Sequence, residues 1–328
     1  TLYSISGITG WPEDSFPFVR VPLVPVTLLI KLPPVLGMFC MIKIPYLLLF
    51  CSLALGFSAR AEERPASFTG KGISLELVAD AKVIQPGQTF HLGLWLEHDP
   101  GYHTYWQNPG LAGVPTKLTP ELPPGFTAGA LIYPPPDKVK MAAINVHGYE
   151  RAVLVALPIK APADLKPGPI AFPVEATWMC CFRTCNPGHA KLSLTLQAGA
   201  AAAPDAVWAP VFEALANQQP PALEGWTLTA RRFEKEVELT VVPPAGLALP
   251  SAPQFFSSDN LICSHPPQNW QPDGRGYRVR LSLSDFQPPD ESHLRGLLFG
   301  KGSWLPGPPA PYVSIRVPIT LAGPVTAK

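Results

Sequence analysis

The chain has 328 residues, of which 47% are apolar and 15% charged, with 43 prolines and a formal net charge of +1. That apolar share can bury a core, which excludes general disorder, and the near-neutral charge leaves no electrostatic footprint for nucleic acid. High proline content with many short apolar runs points to β structure joined by irregular loops.

Residues 1–40 fit no structural element. They do not open on Met, and prolines and Lys31 interrupt their apolar stretches. We expect an upstream extension, with Met41 or Met38 as the true start. From Met41 the sequence reads MIKIPYLLLFCSLALGFSARA: a basic start, an apolar run over 44–57, then small residues at 59 and 61. This is the pattern of a secretory leader over 41–61, cleaved after Ala61. The run is shorter than the roughly 20 apolar residues that span a bilayer. Removing residues 1–61 takes away four basic and two acidic side chains, leaving 21 and 22 and a net charge of −1. The exported part keeps Cys180, Cys181, Cys185 and Cys263, and in an oxidising compartment cysteines default to disulfides.

Between about 66 and 198 the alternation predicts seven or eight short strands, among them 73–78, 89–96, 131–134, 153–159, 171–178 and 190–196. The aromatic-rich segment 101–110 (GYHTYWQNPG) falls between them and reads as a loop closed by a turn. Asn186-Pro187-Gly188 is turn chemistry, so Cys181 and Cys185 fall at the tip of a strand–loop–strand unit. The strand count and turn spacing suit an antiparallel sandwich.

Residues 199–222 read as a small-residue linker and one helix. Asp205 is placed to cap a helix over about 206–218, with Val207, Val211, Phe212 and Leu215 on one face; Pro210 offers an alternative start. Strands resume at 226–231, 237–242, 276–283, 296–299 and 312–321, giving a second, smaller β domain over 223–326. In 276–283, Tyr277, Val279 and Leu281 share one face, and Arg278, Arg280 and Ser282 the other.

Three readings of the cysteines compete. In the first, Cys181 and Cys185 exchange disulfides with a partner, with Arg183 and His189 as nearby cations favouring a thiolate. In the second they form a structural bridge, although closing so short a ring removes only roughly 2 kcal/mol of unfolded-chain entropy. In the third, Cys181, Cys185 and His189, with Cys180 as an extra ligand, bind Cu(I) or Zn; the alternative function to exchange is a non-catalytic periplasmic binding or copper-handling module with a structural disulfide. Cys180 and Cys263 remain free to pair, to lie buried, or to offer a second thiol.

The ordered motifs add a resemblance. Trp178-x-x-Cys181-x-x-x-Cys185-x-Pro187-Gly188, GYHTYWQNPG at 101–110, LPPGF at 122–126 and HGYE at 147–150 resemble the N-terminal periplasmic domain of DsbD-type thiol:disulfide interchange proteins, in the longer ScsB-like branch. The resemblance implies an immunoglobulin-like sandwich in the periplasm, acting as a protein-disulfide-reductase-type electron relay that needs no cofactor. It implies Cys181 and Cys185 as the redox pair, with Tyr102, His103, Trp106, Tyr149, Trp178 and Arg183 shielding or tuning it. It implies a thioredoxin-like or membrane-embedded DsbD-type electron donor and a periplasmic disulfide oxidoreductase as acceptor. Relatives continue into a membrane transporter and a thioredoxin-like domain, so a separate donor is expected here. Cys180 departs from the apolar residue expected beside Cys181 and offers an alternative disulfide.

Overall fold

The computed structural model describes residues 65–321, apart from Ala142 and Ala248. The extension expected over 1–40 and the leader expected over 41–61 lie outside the described residues. The first part of the chain forms β1 (Ser67–Gly70), β2 (Ile73–Ala79), β3 (Ala81–Ile84), β4 (Thr89–His98), β5 (Thr104–Gly110), β6 (Lys117–Pro120), β7 (Thr127–Ala128), β8 (Asp137–Met141), β9 (Ile144–Tyr149), β10 (Val153–Lys160), β11 (Gly168–Cys181), β12 (Cys185–Ala198) and β13 (Ala203–Pro204). Helix α1 (Ala209–Asn217) follows. The last part forms β14 (Thr227–Arg232), β15 (Glu236–Val242), β16 (Ser251–Ser257), β17 (Gln271–Asp273), β18 (Gly276–Ser282), β19 (His293–Lys301) and β20 (Tyr312–Leu321).

Two five-stranded sheets, β1-β2-β4-β10-β7 and β13-β3-β12-β11-β6, make the immunoglobulin-like sandwich. Period-2 patterning decides which side chains meet between them. Phe90, Leu92, Leu94 and Leu96 of one sheet face Phe172, Val174, Ala176 and Leu192 of the other, all fully buried. The first sheet is apolar on its outer side as well, and α1 covers it there by packing Phe212 and Leu215 on Val78, Leu154 and Ala156. Gly93 makes this possible, because a Cβ at that position falls 2.7 Å from the Phe212 ring.

A three-stranded sheet, β5-β9-β8, lies beside the end of the β11–β12 hairpin. The second β domain is a seven-stranded sheet, β16-β19-β20-β14-β15-β18-β17, built on a core that includes Trp304, Phe255, Val237, Leu239, Val279 and Leu298. Its Phe256 joins the core of the sandwich instead, so the two parts share buried surface.

Several local expectations change. The helix starts at Ala209, and Asp205 acts just before it: its carboxylate accepts from the Val207 and Trp208 amides (2.8 and 2.9 Å). Val207 lies ahead of the helix and is exposed. Residues 131–134 make only an isolated bridge, Ile132 to Ala156, because prolines follow immediately. The aromatic segment 101–110 is mostly strand, as β5.

Candidate redox site

The site is the end of the β11–β12 hairpin. The ladder runs unbroken from Gly168↔Ala198 to Cys181↔Cys185, and only residues 182–184 make the turn. Asn186, Pro187 and Gly188, expected as the turn, are ladder residues of β12. Pro187 is tolerated because β3 pairs with β12 only at Gln197 and Ala198, which leaves the other end of β12 an edge. Gly188 is required for another reason: Trp178 lies across it, and a Cβ there would fall 2.1 Å from the indole.

Cys181 and Cys185 oppose each other on the last rung, with Cα atoms 4.2 Å apart, and are joined by a disulfide. The two sulfurs have different surroundings. Cys181 is fully buried in a cluster with Tyr105, Val139 and Val146 of the three-stranded sheet. Cys185 is exposed. Its sulfur meets the Met141 thioether at 4.0 Å, and the Tyr105 hydroxyl donates to that same thioether at 3.1 Å. Met179 completes the apolar surroundings.

Cys180 points the opposite way, as neighbours on a strand must. Its thiol is buried in the sandwich core, 3.6 Å from the Gly72 carbonyl, and burial pushes its pKa up to about 11, with a smaller push from Asp99. Cys180 and Cys263 are both free thiols, so neither the alternative disulfide nor a Cys180–Cys263 pair is formed.

Of the residues expected to shield or tune the pair, His103, Tyr102 and Arg183 reach its surroundings. The His103 backbone exchanges both hydrogen bonds with Cys181, each 3.0 Å, pinning the start of β5 to the disulfide. The His103 ring is buried, which lowers its pKa, and its Nε2 lies 3.2 Å from the Tyr105 hydroxyl. Tyr102 stacks on Phe182 of the turn at 5.4 Å, and the Arg183 guanidinium sits over the same Phe182 ring. Trp106, Tyr149 and Trp178 are core residues of the sandwich. Trp178 packs on Phe68, Trp106 on His147, and the Tyr149 hydroxyl donates to the Pro134 carbonyl at 2.7 Å.

The set Cys181, Cys185 and His189 is not assembled. His189 lies four residue steps along the strand from Cys185, about 13 Å, and its ring is paired with Glu175 at 2.7 Å. Among the described residues no group of three His, Cys, Asp or Glu side chains is placed to hold a metal. Sequence reasoning missed Tyr105, Val139, Val146 and Met141. Period-2 burial signals in β8 and β9 are its only trace, and they identify a core face without saying that a cysteine lies against it.

Residues 74–197 match the family described as thiol:disulfide interchange protein DsbD, N-terminal. This segment is a DsbD/ScsB-like N-terminal domain. The fold of the chain is also that of the N-terminal periplasmic domain of ScsB from Proteus mirabilis, known from its crystal structure, with 14% identity and a TM-score of 0.55. That alignment covers 77% of this chain and 99% of the ScsB domain, so the likeness extends past the DsbD-type segment into the second β domain. A protein of unknown function from Porphyromonas gingivalis W83 aligns over 75% of this chain and 98% of its own length at 14% identity, but its TM-score of 0.18 carries no argument. No curated protein sequence matches the chain. The DsbD-type segment ends on β12, so it contains the whole cysteine hairpin and the sheet that covers it. Among the described residues no helix is long and apolar enough to cross a membrane.

Proposed function

We propose that the protein is an exported thiol:disulfide relay of the periplasm, delivered by a leader over 41–61, with Cys181 and Cys185 as its redox pair. The observation that carries this reading is the asymmetry of the disulfide within a DsbD-type domain. One sulfur is presented to a partner at the exposed hairpin end, while the other is held in an apolar pocket.

The exposure of Cys185 supports the following roles. A thiolate of the electron donor attacks Cys185 Sγ, breaking the Cys181–Cys185 bond and releasing Cys181 as the leaving thiolate. The donor's second thiol then resolves the mixed disulfide, so the donor leaves oxidised and this chain holds two thiols. In the second half, the Cys185 thiolate attacks the disulfide of the acceptor, and Cys181 resolves that intermediate. Two electrons and two protons pass through, and the two sulfurs suffice without an organic cofactor. A thioredoxin-like or membrane-embedded DsbD-type protein fits the donor, and a periplasmic disulfide oxidoreductase the acceptor. Phe182, Tyr102 and Met141 form the apolar rim through which either must approach.

The test is the reduction potential of the pair, by glutathione titration with alkylation and peptide mass mapping. A value of about −180 to −270 mV is expected for an exchange catalyst. A value below about −300 mV marks a structural bridge and removes the relay.

A further inference from the structure

The second β domain touches the three-stranded sheet that covers the disulfide, and it does so at the ends of the strands that carry the cover. β5 begins directly after His103, the residue bonded to Cys181, and contributes Tyr105 to the pocket. Past Tyr105 its pairing with β9 breaks, and it resumes only at Gly110↔Val146. A bulge of this kind leaves backbone and side chains without ladder partners. Here the second domain supplies them. Buried Asn108 sits in the bulge, and its side-chain amide donates to the Ser257 carbonyl at 2.8 Å and to the Asp259 carbonyl. Its Oδ1 accepts from the Gly110 amide at 3.1 Å. The Leu111 amide donates to Ser264 Oγ at 2.9 Å. Gly110, at φ 86°, allows the approach, because a Cβ there would fall 2.1 Å from the Ser264 hydroxyl.

β8 is held from the same side. Tyr312 of β20 donates its hydroxyl to the Pro136 carbonyl at 3.0 Å, directly before β8 begins, and β8 ends on Met141. Both strands behind the cover are therefore anchored in the second domain: β8, whose Met141 meets the Cys185 sulfur, and β5, whose Tyr105 packs against Cys181 and donates to the Met141 thioether.

We infer that the second β domain is a positioning module for the redox site, with Asn108 and Tyr312 as positioning residues that keep the Met141 cover seated on Cys185. Neither side chain touches a sulfur. They act through the two strands, so releasing them frees the side of the Cys185 sulfur that Met141 covers and widens the approach to a residue that is otherwise exposed. The inference takes its purpose from the thiol-exchange reading, but not its measurement, because a small dithiol reports access to the sulfur whether or not a protein partner is ever served.

The experiment measures the rate at which dithiothreitol reduces the Cys181–Cys185 bond in the purified protein, with alkylation quenching and mass detection. The variants are Asn108→Ala, Tyr312→Phe and Met141→Ala, together with each of the first two combined with Met141→Ala. A buried hydrogen bond is worth roughly a factor of two to ten in an equilibrium. Asn108→Ala is expected to react about five- to tenfold faster and Tyr312→Phe about two- to threefold faster. Met141→Ala is fast by itself, and neither substitution accelerates it further, since the cover through which they act is gone. General loosening of the fold would instead add its full effect on top of Met141→Ala, and that result overturns the inference. So does a wild-type rate in the single variants. Tyr312→Phe keeps the ring and its packing, so it carries the test if Asn108→Ala fails to fold. A potential below about −300 mV would remove the relay and leave this comparison of rates standing.

Discussion

Cys180 and Cys181 are adjacent in sequence and chemically opposite in the structure. Alternation along β11 sends one thiol into the sandwich core and the other to the pocket under the three-stranded sheet. A burial-raised pKa of about 11 keeps Cys180 protonated and unreactive near neutral pH. Maleimide is therefore expected to label Cys263 in the native oxidised protein and to leave Cys180 unlabelled until the protein is denatured; peptide mapping reads both. Cys180→Ala is expected to cost about 1 kcal/mol of stability, the scale of a small core truncation, while the mapped bridge stays between Cys181 and Cys185. The two bridging cysteines separate in the same way. Cys181→Ser leaves the exposed Cys185 as a lone thiol, and Cys185→Ser leaves the buried Cys181. The first is expected to react with an aromatic disulfide reagent at least about tenfold faster than the second, because the accessible thiolate is the nucleophile. Equal rates would contradict the assignment of Cys185 as the sulfur that meets partners.

The hairpin that carries the pair depends on one contact across its own face. Trp178 on β11 lies over Gly188 on β12, its ladder partner, and also packs on Phe68 of β1. Gly188→Ala places a methyl inside the indole's volume. Overpacking of this kind costs about 1–3 kcal/mol, and a urea midpoint lowered by that amount is expected, with the disulfide still formed. The strands themselves were legible in the sequence. Alternation marked 73–78, 89–96, 153–159 and 276–283 closely, because each has one face in a core and the other at a different boundary. The position of the turn was not legible. Asn186-Pro187-Gly188 has turn composition, but Pro187 stands on a sheet edge and Gly188 is there to admit an indole, two pressures that local propensity does not contain. Spacing left the use of Cys181 and Cys185 open between exchange, a structural bridge and metal binding, and the family resemblance implied the pair that the disulfide joins. The cover of the pair was not legible, since Met141 lies 40 residues before Cys181 in the chain and reaches the site only through the pairing of β8 with β9. The resemblance implies shielding by Trp106, Tyr149 and Trp178, and packing places all three in the sandwich core.

At the scale of the whole molecule, the junction between the sandwich and the second domain contains a titratable group held neutral. His147 of β9 is buried between Trp106 and Phe256, the latter from the second domain, at centroid distances of 6.1 and 4.9 Å. Its Nδ1 faces the Asn108 carbonyl at 3.2 Å; a carbonyl only accepts, so Nδ1 carries the hydrogen. Burial lowers its pKa from 6.5 to about 4, the Asn108 bond offsets part of that, and Lys138, opposite it on β8, adds a like charge. His98, hydrogen-bonded to the Arg151 carbonyl and Thr104, is also lowered to about 4, chiefly by burial. The unfolded chain binds these protons near pH 6.5, while the folded protein refuses them until about pH 4. Stability is thus fully present above pH 6.5 and is lost as pH falls towards 4, by roughly 1.4 kcal/mol per pH unit for each histidine. His147→Asn keeps an amide hydrogen for the Asn108 carbonyl and removes the titration. Urea midpoints of this variant and of the parent at pH 7, 5.5 and 4.5 isolate the single group, because every other titration is common to both. The parent is expected to lose stability more steeply than the variant across that range, with the difference opening below pH 6.5. Parallel profiles would mean that His147 already takes up its proton in the folded protein, with the domain junction open enough to solvate the charge.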